Sequence, residues 1–555
     1  MKKWQILKEL KIKNKEVRIE DIINILLDNR GVTTKKERDF FLRPPNPWDL
    51  SAKEVGINNA ALRKGIARIK KAIDTKESIV VYADYDADGI TAGAVMWETI
   101  HRLGGNIMPY IPHRVEEGYG LSTKGIDTVI EKYHPKLIIT VDHGITAADK
   151  VDYAFSKGVD VVVTDHHVKP KKLPDCPIIH TTALCGAGIS WFVAKELLTQ
   201  YDVRFTSYDD LIALASIGTI ADMVPLVGPN RSIVKSGLRV LNENKHVGLD
   251  ALIKDAGLTK GGLGTYDISH ILAPRLNAMG RLVHAIDALR LLCTKQEDKA
   301  MLLARKLGLT NKERQQLTAD TTIHARDIVK GRGEMKKLLF VSHESYNQGI
   351  IGLVAGKLVE EFYRPAVVLS RGEIISKASA RSIAGFNIIE AIRTCSDILI
   401  DAGGHPMAAG FTVETKYLGQ LQERLEILAE KELTEEKLMR VLRIDAQIPL
   451  EQASERLWKA MRDFGPFGFG NPEPVFATSG VNVEDARLVG ADGKHVKLRI
   501  CNPEVSIDGI AFGMGNLYPK LRPDTMLDIA YTIDMNVWNG SSRLQLKIKD
   551  IHLPS

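Results

Sequence analysis

Three carboxylates fall two residues apart in the stretch VVYADYDADGITAGAVMWE, residues 80–98, where Asp84, Asp86 and Asp88 precede Gly89. Like charges crowded onto one turn repel one another unless a cation neutralises them, so the spacing points to a hard divalent ion. D-x-D-x-D-G also opens an EF-hand calcium loop. The twelfth position of that loop must be a bidentate Glu, and counting from Asp84 it is Val95. The preceding SIVVYAD is moreover a β-branched strand run where an EF-hand needs a helix. A plainer alternative has the aspartates capping the helix that follows. The rest of the chain has to decide between cap and cation.

Three further stretches place acidic and imidazole groups after apolar runs. KLIITVDHGI ends a strand at Asp142, VDVVVTDHHV ends another at Asp165, His166 and His167, and LIALASIGTIADMVPL delivers Asp222. Taken singly, Asp142 is also a fitting helix cap, the histidine pair a fitting surface turn, and Asp222 a fitting buried, hydrogen-bonded carboxylate. Jointly these readings need independent acidic coincidences at several strand ends, where open α/β sheets bind their ligands. Oxygen-rich ligation with one or two imidazoles suits Mg²⁺ or Mn²⁺, the histidines tilting the balance toward Mn²⁺. Two cations ~3.5–4 Å apart sharing a carboxylate form the usual arrangement for cleaving phosphate esters.

The elements that must position these groups alternate in type. SIVVYAD, NIMPYIP, KLIITVD and VDVVVTD are short apolar runs separated by helix-length segments, which predicts a doubly wound parallel sheet over residues 50–290. A helical segment, 1–49, precedes it, with the Pro-rich RPPNPWDL as link. Residues 291–334 are charged, carry helically spaced apolar positions and lack proline, and read as a long connecting helix. A second α/β pattern occupies 335–440, and from 441 to 555 short strands with Gly and Pro turns suggest an OB-like β-barrel. Several domains are what 555 residues require.

Composition excludes more than it selects. A net charge of +6, from 75 basic and 69 acidic residues, is too slight over this length to identify a partner, so any nucleic-acid contact must come from local arrangement. The five scattered cysteines form no C-x-x-C pair and favour a reducing compartment. MKKWQILKELKIKNKE lacks the apolar core of a signal peptide, and no run approaches the ~20 apolar residues of a membrane span. The expected location is the cytoplasm, with no membrane contact.

The series D-x-D-x-D-G, V-D-H-G, D-H-H and G-T-I-A-D-M-V-P-L resembles that of the DHH phosphoesterases. IPHRVEEGYGLS, LCGAGISW, APRLNAMGRL, SKASARSI, AGGHPMAAGF and FGPFGFGNPEPVF extend the likeness from about residue 50 to the last residues, in the family's order. The resemblance implies a single-strand-specific 5′-to-3′ DNA exonuclease of that family, releasing 5′-mononucleotides in DNA repair and recombination. It further implies that Asp86, Asp88, Asp142, His166 and Asp222 bind two Mn²⁺ or Mg²⁺ ions, with Asp142 as bridge. Asp84 would support that shell and His167 would orient the substrate phosphate. The second α/β region would be a DHH-associated domain. His143 occupies a position that varies within the family, and is a candidate extra ligand beside Asp142 or else a solvated turn histidine. A single-strand-binding protein or a helicase is the expected protein partner.

A nuclease must also hold its strand. Arg and Lys on phosphates and aromatic faces under bases give a sequence-independent grip. Arg275, Asn277 and Arg281 in APRLNAMGR, with Ser379 and Arg381 in KASARS, offer phosphate-fitting donors in each α/β region. Arg114 and Tyr119 in PHRVEEGYG are placed to meet backbone and base, and AGGHPMAAG offers His405 with a glycine-rich nest of backbone N–H groups. For the arginines, salt bridges are the alternative role; for Tyr119 and the glycines, structural packing is. Two rival functions stay open: a phosphodiesterase for short oligonucleotides or cyclic dinucleotides, and a non-catalytic replisome scaffold. The extra barrel-like region argues against the first, and the complete carboxylate set against the second.

Overall fold

The computed structural model describes residues 2–8, 18–114, 116–203, 209–331, 333–538 and 541–553. The chain divides into two compact units, Pro45–Leu438 with Gly468–Gly470, and Met1–Pro44 with Met439–Phe467 and Asn471–Ser555. The opening segment, expected to be helical, begins instead with strand β1 (Lys3–Lys8), followed by helices Ile19–Asn29 and Lys35–Leu42. Its side chains are mostly exposed, so backbone pairing rather than burial makes it a strand, and no hydrophobic alternation announces it.

In the larger unit, β2 (Ser78–Ala83), β3 (Asn106–Tyr110), β4 (Leu137–Val141), β5 (Asp160–Asp165) and β6 (Ile178–His180) form a sheet of order β3-β2-β4-β5-β6. Every pairing in it is parallel. Both faces are covered, which is why these strands read as continuous apolar runs. Ile79, Val81 and Ala83 of β2 pack into the core holding helices Asn59–Asp74, Ala87–Arg102 and Gly186–Gln200, while Val80 and Tyr82 face Ile126, Val129, Val151 and Ala154 of Thr123–Tyr133 and Ala148–Ser156.

The helix Glu297–Gly331 runs unbroken for 35 residues. Its first turns bury Ala300, Leu303, Ala304 and Leu307 in the core of the first sheet, and its last bury Ala325 and Val329 against a second. That second sheet is β7 (Leu339–His343), β8 (Ala366–Ser370), β9 (Ile375–Arg381), β10 (Leu399–His405) and β11 (Ala408–Glu414), in the order β10-β11-β9-β8-β7. Only β7 and β8 pair in parallel.

In the smaller unit β12 (Val441–Gln447) pairs with β1 in parallel and leads into β13 (Phe476–Val489), β14 (His495–Cys501), β15 (Ser506–Ala511), β16 (Met526–Trp538) and β17 (Ser541–His552). The run β13-β14-β15-β17-β16 closes through a further β13–β16 pairing into a five-stranded barrel. Helix Ile19–Asn29 contributes Ile22 and Leu26 to the barrel's core.

Candidate metal centre

Along the chain β3 separates β2 from β4, yet β2 and β4 are neighbours in the sheet. The winding direction therefore reverses between their carboxyl ends, the crevice where doubly wound sheets hold ligands. Asp84 follows β2, Asp142 follows β4, and Asp165 ends β5, so the sheet itself brings three motifs to this edge.

The DYDADG turn serves both roles weighed from the sequence. Asp86 caps Ala87–Arg102, its Oδ1 accepting from the N–H groups of Asp88 and Gly89 at 2.9 and 3.0 Å. Asn277 braces the same turn by accepting from the Ala87 N–H at 2.8 Å. The carboxylate of Asp88 accepts from the first N–H groups of Gly186–Gln200, Gly186 at 2.7 Å and Ala187 at 2.9 Å, where the helix dipole favours negative charge. Asp142 takes φ +67°, a setting Asp tolerates better than most side chains. A Cβ at position 186 would stand 2.6 Å from the Asp142 Cβ, so glycine there lets the helix approach.

Ligand-type atoms of Asp84, Asp86 and Asp142 lie within 4.8 Å of one another, as do those of Asp88, His166 and Asp222, and a third triad, Asp142, His166 and His167, links these two. The two triads meet where His166 Nε2 stands 3.1 Å from Asp142 Oδ1, with Asp222 at 3.7 Å and Asp88 at 4.0 Å. Burial and mutual repulsion raise Asp84 and Asp142 well above the carboxylate range and raise Asp86, and they push Asp222 up to about 9. Asp84 Oδ1 and Asp142 Oδ1 are buried and accept no hydrogen bond. Buried acceptors without donors, raised by one another's charge, fit divalent cations.

A pH dependence follows. Without cations, Asp222 keeps its proton up to about pH 9, whereas the unfolded carboxyl loses it near pH 3.9. The folded state binds the extra proton across that window, so stability of the cation-free protein falls as pH rises through it. Cations take up the deprotonated set, so the gain in melting temperature from Mn²⁺ should grow between about pH 6 and pH 8. Thermal melts with and without Mn²⁺ measure it; an increment that shrinks as pH rises would contradict the account.

His167 is held by Asp165. Its Nδ1 lies 2.8 Å from Asp165 Oδ1, its N–H donates to the same oxygen at 3.0 Å, and Asp165 Oδ2 accepts from Ile145 N–H at 2.8 Å. Burial alone would lower the His167 pKa, but the hydrogen bond and charge of Asp165 outweigh it and the net shift is upward. The other ring nitrogen stands 3.3 Å from the Tyr119 hydroxyl, which also reaches the Asp142 carbonyl at 3.2 Å. Asp165→Asn should reduce kcat about 10- to 100-fold with Mn²⁺ and strand binding nearly unchanged, as for partners that orient a reacting group; unchanged kcat would remove Asp165 from this role.

Residues 78–219 match the DHH family N-terminal domain, 335–431 the DHHA1 domain and 444–550 the RecJ OB domain. The single-stranded-DNA-specific exonuclease RecJ of Bacillus subtilis (strain 168) is 36% identical over 99% of this chain and 70% of its own length. The chain belongs to the RecJ family. A crystal structure of RecJ in complex with Mn²⁺ from Thermus thermophilus superposes with a TM-score of 0.84 at 27% identity, covering all of this chain and 80% of that one. The corresponding Mg²⁺ complex gives 0.79 at 26% identity, over all of this chain and 79% of that one.

Beside the metal centre of this RecJ-family chain lies a cleft of about 850 Å³. Tyr85, Arg114, Tyr119 and Arg281 line it from the first α/β region, Ser379 and Arg381 from the second. The Arg114 guanidinium sits 5.0 Å from the Tyr85 ring centroid. Arg281 donates to the Gly349 carbonyl at 3.1 Å, and burial together with Arg114, Arg314 and Arg381 pushes its pKa down to about 10. Sequence reading missed Arg314, which lies among many charged residues of the long helix, the lining residues Asn347 and Gln348, which sit outside any motif weighed for binding, and Lys377, which opens KASARS but was passed over for Ser379 and Arg381.

Three further candidate side chains and the glycine-rich stretch are placed as follows. Arg275 bonds the Ile271 carbonyl at 2.8 Å and lies 3.7 Å from Asp255, outside the cleft lining, because its helix turns it toward the protein. Asn277 braces the acidic turn, and no cleft-lining role falls to it. AGGHPMAAG forms the end of the edge strand β10 and the start of β11; its Gly410 lines the cleft, whereas His405 is exposed outside that lining. His143 is buried with Nε2 2.9 Å from the Tyr82 carbonyl, and burial lowers its pKa to about 4, so it is a neutral core residue.

Proposed function

We propose that the chain is a 5′-to-3′ exonuclease that degrades single-stranded DNA to 5′-mononucleotides by phosphodiester hydrolysis with two divalent cations. The observation that carries this reading is the pair of acidic and imidazole triads at the sheet's switch point, with an arginine-lined cleft in the same compact unit. Asp86, Asp88, Asp142, His166 and Asp222 hold Mn²⁺ or Mg²⁺, with Asp84 in support and Asp142 between the triads. When bound, the cations neutralise the carboxylates and supply the Lewis acidity for hydrolysis.

The chain's own residues do the rest. Asp165 fixes His167 through Nδ1 and leaves Nε2 beside the Tyr119 hydroxyl, from where it would orient the scissile phosphate. Arg281, Arg381 and Arg114, with Ser379, hold backbone phosphates, guanidinium forks matching phosphate oxygens two at a time. Tyr119 and Tyr85 offer ring faces to a base. The reading places the enzyme in the cytoplasm, supported by five cysteines that are all free and by the lack, among the described residues, of any helix long and apolar enough to cross a membrane. A single-strand-binding protein or a helicase would present the strand.

Digestion of long single strands labelled at one end or the other, as DNA and as RNA, with Mn²⁺ or Mg²⁺, tests it. Labelled mononucleotides should appear first from the 5′ end of DNA. Release first from the 3′ end, or a strict preference for dinucleotides, would overturn the assignment.

A further inference from the structure

The motif FGPFGFGNPEPVF, residues 464–476, supplies none of the groups described so far, yet its middle, Gly468–Gly470, belongs to the unit that carries the metal centre. What it meets there is the turn after Asp222. Asp222 closes helix Asp210–Ala221, its N–H donating to the Gly218 carbonyl at 2.9 Å. Met223 follows at φ +57°, left-handed backbone that strains so large a side chain. The chain then reverses through Val224, Pro225 and Leu226.

Gly468–Gly470 grips this reversal. Leu226 N–H donates to the Phe469 carbonyl at 2.8 Å. Gly470 has φ +74°, and a Cβ there would stand 2.6 Å from Pro225 Cβ and 2.9 Å from Pro225 Cα; one on Gly468 would stand 2.7 Å from Leu226 Cδ1. On another side the Asn230 amide donates to the Pro225 carbonyl at 3.1 Å and the Ala183 carbonyl at 2.9 Å. A strained residue persists only where its surroundings over-determine it, and these contacts do so.

We propose that Gly468–Gly470 is a clasp that positions Asp222 for the cation it would share with Asp88 and His166. Loosened, the turn relaxes at Met223 and carries the adjacent carboxylate out of place, and cation ligation tolerates only a few tenths of an ångström. Asp84, Asp86 and Asp142 stand on other loops, so the effect falls on one triad. FGFG thus sets a ligand without being one.

The inference rests on the two-cation reading above. Its test is Mn²⁺ binding by calorimetry to the full chain stripped of cations, with far-UV circular dichroism confirming the fold. The unaltered chain should take up two ions. Gly470→Ala and Gly468→Ala should each leave one site unchanged and weaken the other about 10- to 100-fold, the range for groups that orient a ligand. Combining Gly468→Ala with Leu226→Val should return part of that loss. Gly419→Ala, where an added Cβ meets nothing within 4 Å, should change neither site. Should Gly470→Ala fail to fold, Gly468→Ala decides, since its neighbour is the end of a flexible side chain. Two sites of unaltered affinity in the folded variants, or both sites weakened alike, would overturn the clasp; uptake of fewer than two ions by the unaltered chain would overturn the two-cation reading as well.

Discussion

Asp142→Asn should reduce turnover of single-stranded DNA by about 10³-fold or more while leaving the fold intact. The loss is of the size seen when one electrostatic contact to the reacting centre is removed. Asn is the right replacement because the residue sits at φ +67°, where Ala would add backbone strain of about 1–2 kcal/mol. The cation-free variant should melt no lower than the unaltered protein, because a carboxylate raised by burial and by Asp88, Asp86 and Asp84 has lost its charge. Digestion rates in Mn²⁺ beside thermal melts separate these effects. Near-normal turnover would sink the metal assignment.

Arg281→Met should raise KM for single strands about 10²-fold, near 3 kcal/mol, the scale for truncating a buried charge that meets an opposite one. The slope of log affinity against log salt should become shallower by about 0.7, the equivalent of one phosphate contact on a single strand. In the free protein the substitution relieves repulsion among Arg281, Arg114, Arg314 and Arg381, so stability should hold or rise. Arg281→Lys should restore only part of the affinity, since an ammonium cannot form the two-point fork. Binding isotherms at several salt concentrations measure all three proteins; an unchanged slope for Arg281→Met would take this residue off the phosphate path.

The clustering of the acidic and imidazole groups was legible because these residues are tied to elements that announce themselves. Apolar runs such as VVYAD and LIITVD end in the acids that matter, and parallel sheets expose strand ends on one edge. Asp222 was legible only through its company, since it follows a helix rather than a strand. What local pattern could not supply was direction. Arg275 and Arg281 lie six positions apart on one helix, yet one turns to Ile271 and Asp255 and the other into the cleft. Arg314 joins the cluster through the packing of a 35-residue helix, which no spacing encodes. Strand β1 was missed for a related reason: its partner β12 lies more than 400 residues away, and mostly exposed side chains leave no alternation to read.

That same long helix has a mechanical meaning. Being anchored by Leu303 and Leu307 in one core and by Ala325 and Val329 in another, it acts as a rigid strut of about 50 Å at 1.5 Å per residue. The two cleft walls, one carrying Arg281 and the other Arg381, are thereby tied together by a single continuous helix.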